Sequence, residues 1–182
     1  GKEFTKQGGT LEMIQLWVNL PAKDKMTQPR YQEIHATDIP NAVLSDGESV
    51  LRVIAGQYGE YEGPAHTFTP ITMLDGRLKA GQQVDIPLTE GDNTAVYVLN
   101  GSIQLASGEK VGEAEIATFS QTGDGIAFTA TEDSTVLVLS GEPINEPIAS
   151  YGPFVMNTAE EIQQAMVDFR SGKLGSLEAK VL

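Results

Sequence analysis

Residues 95–105, Ala95-Val-Tyr-Val-Leu-Asn-Gly-Ser-Ile-Gln-Leu105, decide the fold class. Apolar residues alternate on both sides of Asn100-Gly101, a dipeptide that accepts the positive φ needed by tight turns between twisted strands. The expected unit is a β-hairpin. Outward from it the same pattern recurs in short apolar segments: Gln32 to Ala36, Ser49 to Gly56, His66 to Leu74, Gln82 to Ile86, Ile116 to Phe119, Ile126 to Thr129 and Thr135 to Ser140. Turn dipeptides separate them, among them Asp46-Gly47, Asp75-Gly76 and Ser107-Gly108, with Gly123-Asp124-Gly125 as a longer signal. Nine strands at this spacing predict an all-β, antiparallel barrel or sandwich.

The ends of the chain read differently. Gly1 to Gly9 is polar and Gly-rich and is expected to fray. Leu11 to Leu20 (LEMIQLWVNL) carries apolar residues on both faces of a period-2 pattern, which predicts a strand covered on both sides and stopped by Pro21. Near the other end, Thr158 can cap a helix and Glu161 can reach back to it, while Ile162, Ala165, Met166 and Phe169 form one apolar face. That face is expected to pack on the barrel, with Gly172 as the stop.

Composition narrows the function classes. The 182 residues hold 25 acidic and 12 basic side chains, a formal charge of −13, so the average surface repels phosphate backbones. Lys23, Lys25 and Arg30 are interrupted by Asp24 and read as a solvated linker, so no direct nucleic-acid partner is expected. No apolar run is long enough for a membrane span and no export signal is visible, which makes cytoplasmic the expected location. With no cysteine, thiolate metal sites and cysteine nucleophiles are excluded.

Two blocks carry more specific information. Gln15-Leu-Trp-Val-Asn-Leu-Pro21, then Lys25-Met26 and Pro29-Arg30-Tyr31-Gln32, resembles the junction between the two cupin domains of the pirin family. Glu142-Pro143, Glu146-Pro147-Ile148 and Tyr151-Gly-Pro-Phe-Val-Met-Asn-Thr158 resemble that family's C-terminal signature. The resemblance implies a cupin-like jelly roll with one C-terminal α-helix. It divides the chain into residues 1–31, a remnant strand of an N-terminal cupin plus linker, residues 32–175, the C-terminal cupin, and a tail at 176–182. It further implies one iron in the N-terminal cupin, held by three histidines and a glutamate that precede this sequence. The implied partner of the chain is therefore that N-terminal cupin domain, and Leu11 to Leu20, deprived of its sheet neighbours, is expected either to hold a retained N-terminal fragment or to self-associate.

The barrel itself can be checked for metal ligands. With Gly101 as the hairpin glycine of the cupin pattern, the ligand positions fall around Pro87 to Glu90, near Thr94, and near Ile126 to Phe128; no histidine stands at any of them. His35 and His66 are the only two histidines, each without a partner at i+2 or i+4, and both read as structural. Gly56 to Gly63 is glycine-rich but lacks a lysine and a following helix, so it reads as a loop rather than a phosphate cradle. A Gly-x-Ser-x-Gly elbow is absent. No catalytic, cofactor-binding or metal-ligating residue is assigned to this chain. Through the resemblance, the whole protein is expected to be an iron-dependent quercetin 2,3-dioxygenase, or, as the alternative, a redox-responsive binding partner of transcription regulators.

Overall fold

The computed structural model describes residues 2–10 and 12–175. Two compact units divide the chain, one formed by residues 26–145 and the other by the residues up to Lys25 together with those from Glu146 onward.

The larger unit is built from β1 (Asn41–Val43), β2 (Val50–Ala55), β3 (Gln57–Tyr58), β4 (Tyr61–Glu62), β5 (Ile71–Leu78), β6 (Gln83–Pro87), β7 (Asn93–Asn100), β8 (Ser102–Leu105), β9 (Lys110–Gly112), β10 (Ile116–Thr118), β11 (Gly125–Ala130) and β12 (Ser134–Gly141). A six-stranded sheet has the order β1-β2-β5-β12-β7-β10, and a four-stranded sheet has the order β6-β11-β8-β9. Every pairing in both is antiparallel. Period-2 burial along β2, β6, β7 and β11 sends Leu51, Val53, Val96 and Val98 inward from one sheet, and Val84, Ile86, Ile126 and Phe128 inward from the other. These side chains make one continuous core, each contributing roughly 1.5–3 kcal/mol by leaving water. The architecture is the expected cupin-like jelly roll.

The Asn100-Gly101 turn departs from expectation. It does not close a hairpin, because β7 pairs with β12 and β10 while β8 pairs with β11 and β9. The chain instead crosses from one sheet to the other there. Gly101 has φ +81°, and a Cβ on it would stand 2.5 Å from the Asp133 carbonyl oxygen and collide with the Ser134 hydroxyl. Only glycine passes this corner, so the dipeptide carries a turn signal for a different reason from the one alternation suggests.

Asp75-Gly76 is also not a turn. Both residues lie inside β5, where Asp75 faces Arg52 of β2 in register and accepts a hydrogen bond from its guanidinium at 2.8 Å. Gly76 is needed for packing: a Cβ would stand 2.8 Å from Val136 Cγ2. The segment expected as a strand from His66 therefore starts later, at Ile71, and continues through the supposed turn. Gln32 to Ala36 is not a strand either. The Gln32 side chain alone mimics one, donating from Nε2 to the His66 carbonyl and accepting from the His66 amide, both at 2.9 Å. Gly56 to Gly63 is no plain loop but the β3–β4 hairpin, whose Tyr58 and Tyr61 pack against the core. Tyr58 also donates to the Asp85 carbonyl on β6 at 3.3 Å.

The smaller unit contains α1 (Lys2–Gln7), a 3-10 turn (Ala22–Asp24), β13 (Ala149–Tyr151), β14 (Phe154–Met156) and α2 (Ala159–Arg170). The opening is thus a short helix rather than a frayed end, closed where the Gly8 amide bonds the Phe4 carbonyl at 2.8 Å. Residues 12–20 form no strand. A strand is made by its ladder partners, and no strand pairs with this segment among the described residues; Leu11 lies outside them.

Helix α2 begins as expected. The Glu161 amide donates to Thr158 Oγ1 at 3.1 Å, and the Thr158 amide donates to Glu161 Oε2 at 3.0 Å, a reciprocal box worth about 1 kcal/mol. Gly172, at φ +76°, follows the last turn. The packing of its apolar face differs. Helix α2 lies on the β13–β14 hairpin, and only Ile162 and Asp168 are buried. Phe169 is 65% exposed and meets the Phe154 ring edge-on, with centroids 6.2 Å apart. The last turn points Asp168 inward, whereas Val167, Phe169 and Arg170 stay exposed. Phe169→Ala is accordingly worth about 1 kcal/mol, the value of an aromatic pair, instead of a core deletion.

Asp168 gives this unit a pH dependence. Lys173 Nζ lies 2.9 Å from its Oδ2 and Gln164 Nε2 lies 2.8 Å from its Oδ1. The Lys173 hydrogen bond first, then that from Gln164, hold the carboxyl below its ordinary range, although burial opposes them. A depressed folded-state value stabilises the protein above the unfolded carboxylate range, near pH 4, and that contribution disappears as pH falls further. Thermal unfolding followed from pH 7 down to pH 2 should show Asp168→Asn less stable than wild type at neutral pH, with the gap narrowing in acid. A constant gap would mean that the carboxylate is not the source.

Candidate functional site

The barrel opens between its two sheets in a mouth. It lies where β6 and β11 of the small sheet meet β7 and β10 of the large one. Two loops roof it, residues 88–92 and 119–124, cross-tied by Leu88 N–H to the Asp124 carbonyl and Gly91 N–H to the Gln121 carbonyl, both 2.8 Å. A third tie runs from Gln121 Nε2 to Asn93 Oδ1 at 2.8 Å. Beneath the roof is a cavity of about 210 Å³ lined by Leu88, Asp92, Thr94, Phe119, Gln121 and Ile126, with Thr89, Ser120 and Thr122 at its rim.

The floor of the mouth is a buried polar chain. Thr94 on β7 sits opposite Ser140 on β12, their hydroxyls 2.9 Å apart, and Ser140 Oγ lies 3.3 Å from Asp92 Oδ2. Below this level the interior is filled by Val96, Val138 and Phe128.

The positions assigned to metal ligands fall at this mouth. Thr94 is buried, Ile126 and Phe128 are buried hydrocarbon, Pro87 ends β6, and Leu88 to Glu90 belong to the roof loop. The polar side chains that line the cavity are hydroxyls, one amide (Gln121) and one carboxylate (Asp92). Iron and its neighbours in open sites draw on imidazoles with a carboxylate on one face, so these residues do not fit such a metal. Among the described residues no three His, Asp or Glu side chains come together as a metal-holding group. His35 and His66 are exposed. Elemental analysis of the purified chain should find no stoichiometric iron, nickel, copper or zinc. One tightly held ion per chain, released by His66→Ala, would overturn this.

The sequence places the ligand positions near the mouth but does not reveal the cavity, since its walls come from loops that carry no motif. The one available clue is the run Ser120-Gln-Thr-Gly-Asp-Gly125, longer and more polar than a tight turn requires.

Comparison with known proteins agrees with this fold. The model of the pirin C-terminal cupin domain matches residues 73–175, which include β7 to β12, the mouth and helix α2. The chain belongs to the pirin family. A crystal structure of quercetin 2,3-dioxygenase from Acinetobacter baumannii superimposes on this pirin-family chain with a TM-score of 0.93 and 46% identity, over 97% of this chain and 61% of that one. A putative quercetin 2,3-dioxygenase from Pseudomonas aeruginosa is 48% identical over 172 residues, 94% of this chain and 60% of its own length. Human Pirin is 34% identical over 171 residues, 92% of this chain and 58% of its own. The pirin-family chain thus spans about three fifths of the length of these relatives. Among the described residues no helix is long and apolar enough to cross a membrane.

Proposed function

We propose that this chain is the metal-free cupin half of a two-cupin protein that acts as an iron-dependent quercetin 2,3-dioxygenase. The observation that carries the reading is the mouth of the barrel: the cupin ligand positions are taken by Thr94, Ile126 and Phe128, which cannot hold iron, while a relative at 46% identity is named a quercetin 2,3-dioxygenase and one at 48% a putative one. In this reading the iron sits in the other cupin, where it would bring quercetin and dioxygen together, and the present chain supplies a rigid support. Oxygen uptake with quercetin by an iron-loaded full-length protein tests it. Uptake that vanishes on chelation supports the reading; no uptake at any iron loading sinks it and favours a redox-responsive binding protein.

The partner proposed for the chain is that other cupin. Met13, Trp17 and Val18 are 78%, 70% and 54% exposed, a density of apolar surface that soluble proteins usually cover. Without the other cupin, a second copy is the proposed cover. Size-exclusion chromatography with light scattering, together with mass spectrometry, should find either a dimer or a retained second polypeptide. A clean monomer with red-shifted emission from Trp17 would rule out both.

A further inference from the structure

We propose that the mouth of this barrel is a binding site for a small neutral ring bearing two adjacent hydroxyl groups. The site is built rather than incidental. Its roof loops are tied to each other by two backbone hydrogen bonds and one between side chains, so the opening does not depend on a ligand to form. The inference does not rest on the dioxygenase reading, because it concerns only side chains of this barrel.

Size comes first. At roughly 30 Å³ for each water in the liquid, a cavity of about 210 Å³ holds about seven water volumes. That is below the roughly 300–1,000 Å³ of sites for drug-sized ligands, and it suits a single ring.

Charge comes next. No lysine, arginine or histidine lines the cavity, and its one ionisable side chain is Asp92. The adjoining groove adds Glu90 and Glu142, so an anion is repelled from both directions. A hydrogen-bond donor is favoured instead. Asp92 Oδ2 is taken by Ser140, whereas Oδ1 has no hydrogen-bond partner among the described residues. A carboxylate with a free oxygen is the strongest acceptor that a hydroxyl can meet here.

The remaining walls fix the shape of the ligand. Leu88, Phe119 and Ile126 give one apolar side, with Leu88 and Phe119 also packed against the core and therefore held in place. Thr94 on the floor, and Thr122 and Gln121 at the roof, offer further polar contacts around the carboxylate. One hydroxyl of the ligand would reach Asp92 and its neighbour would reach Thr94, while a ring face lies along Phe119. Two chemistries present this group, an aromatic catechol and a saccharide ring with adjacent hydroxyls.

Titration of the ¹⁵N-labelled chain followed by amide chemical shifts separates them. The probes are catechol, a methyl glucoside, cyclohexanol with its single hydroxyl, and benzoate as the anion. Shifts confined to residues 88–94 and 119–126 with catechol, the glucoside or both support the proposal and name the source. Asp92→Asn should weaken the binding at least about tenfold, the loss of a charge-assisted hydrogen bond. Gln121→Ala, a change on the exposed roof that leaves the core intact, should weaken it several-fold. Should Asp92→Asn fail to fold, Gln121→Ala alone carries the test. No shifts with either diol, equal binding of cyclohexanol or benzoate, or shifts outside the mouth would each overturn the proposal.

Discussion

Phe128→Ala should destabilise the larger unit by about 3–5 kcal/mol. Phe128 is 2% exposed and is the largest of the fully buried side chains, standing on β11 between its partners Val84 on β6 and Leu105 on β8. Removing its ring deletes the transfer free energy and leaves a cavity that two hydrogen-bonded sheets cannot close by collapsing. Urea unfolding should show a lower midpoint with an unchanged slope, the signature of lost stability without a change in the state reached. Phe169→Ala is the natural comparison, being the same chemical change at a site that is 65% exposed. Similar losses from the two would mean that the jelly-roll core is not centred where the burial places it.

Gly101→Ala is the second large effect, expected at about 3 kcal/mol or more. Part of this is the left-handed backbone, φ +81°, which costs an L-residue about 1–2 kcal/mol. The rest is contact: the added methyl would stand 2.5 Å from the Asp133 carbonyl oxygen and 2.9 Å from Ser134 Cα, both backbone atoms that cannot swing aside. Ser134 is held there because its hydroxyl accepts from the Ser102 amide at 3.0 Å. Gly108→Ala separates the two contributions, since Gly108 has φ +88° and a methyl added to it would meet nothing within 4 Å. It should cost about 1–2 kcal/mol by backbone strain alone. Equal losses at the two glycines, measured by thermal or urea unfolding, would show that the crowding at the corner is relieved by movement.

These two positions also mark how far the sequence can be read. Alternation identifies β2, β6, β7 and β11 because each buries one face, and a period of two is all that such burial demands. It does not say which strands pair. Ala95 to Leu105 has the pattern of a hairpin, yet its two arms belong to different sheets, since the partner of each is chosen by the whole core and not by the turn between them. The short strands β1, β9, β13 and β14 escape it, three residues being too few to show a period. The cap at Thr158 is legible because it is local, whereas the exposure of Phe169 depends on which residues of the last turn face inward. At the mouth, Thr94 and Ile126 stand out as positions where metal ligands are missing. The cavity between them is invisible because adjacency of residues 88–92 and 119–124 is created only by the fold.

The place of β12 in the six-stranded sheet bears on the order of assembly. It lies between β5 and β7, so neither of those strands can complete its ladder until β12 has been made, although both precede it in the chain. A ribosome that has released residues up to Asn100 has exposed the apolar faces of β5 and β7 with the strand that joins them still to come. Pairings such as Leu74 with Val138 close long loops, which is the feature that slows folding. Synthesis at roughly 5–20 residues per second leaves that interval open for seconds, long enough for other chains to compete for the same edges. The nascent chain, more than the finished domain, is where this fold is vulnerable to aggregation.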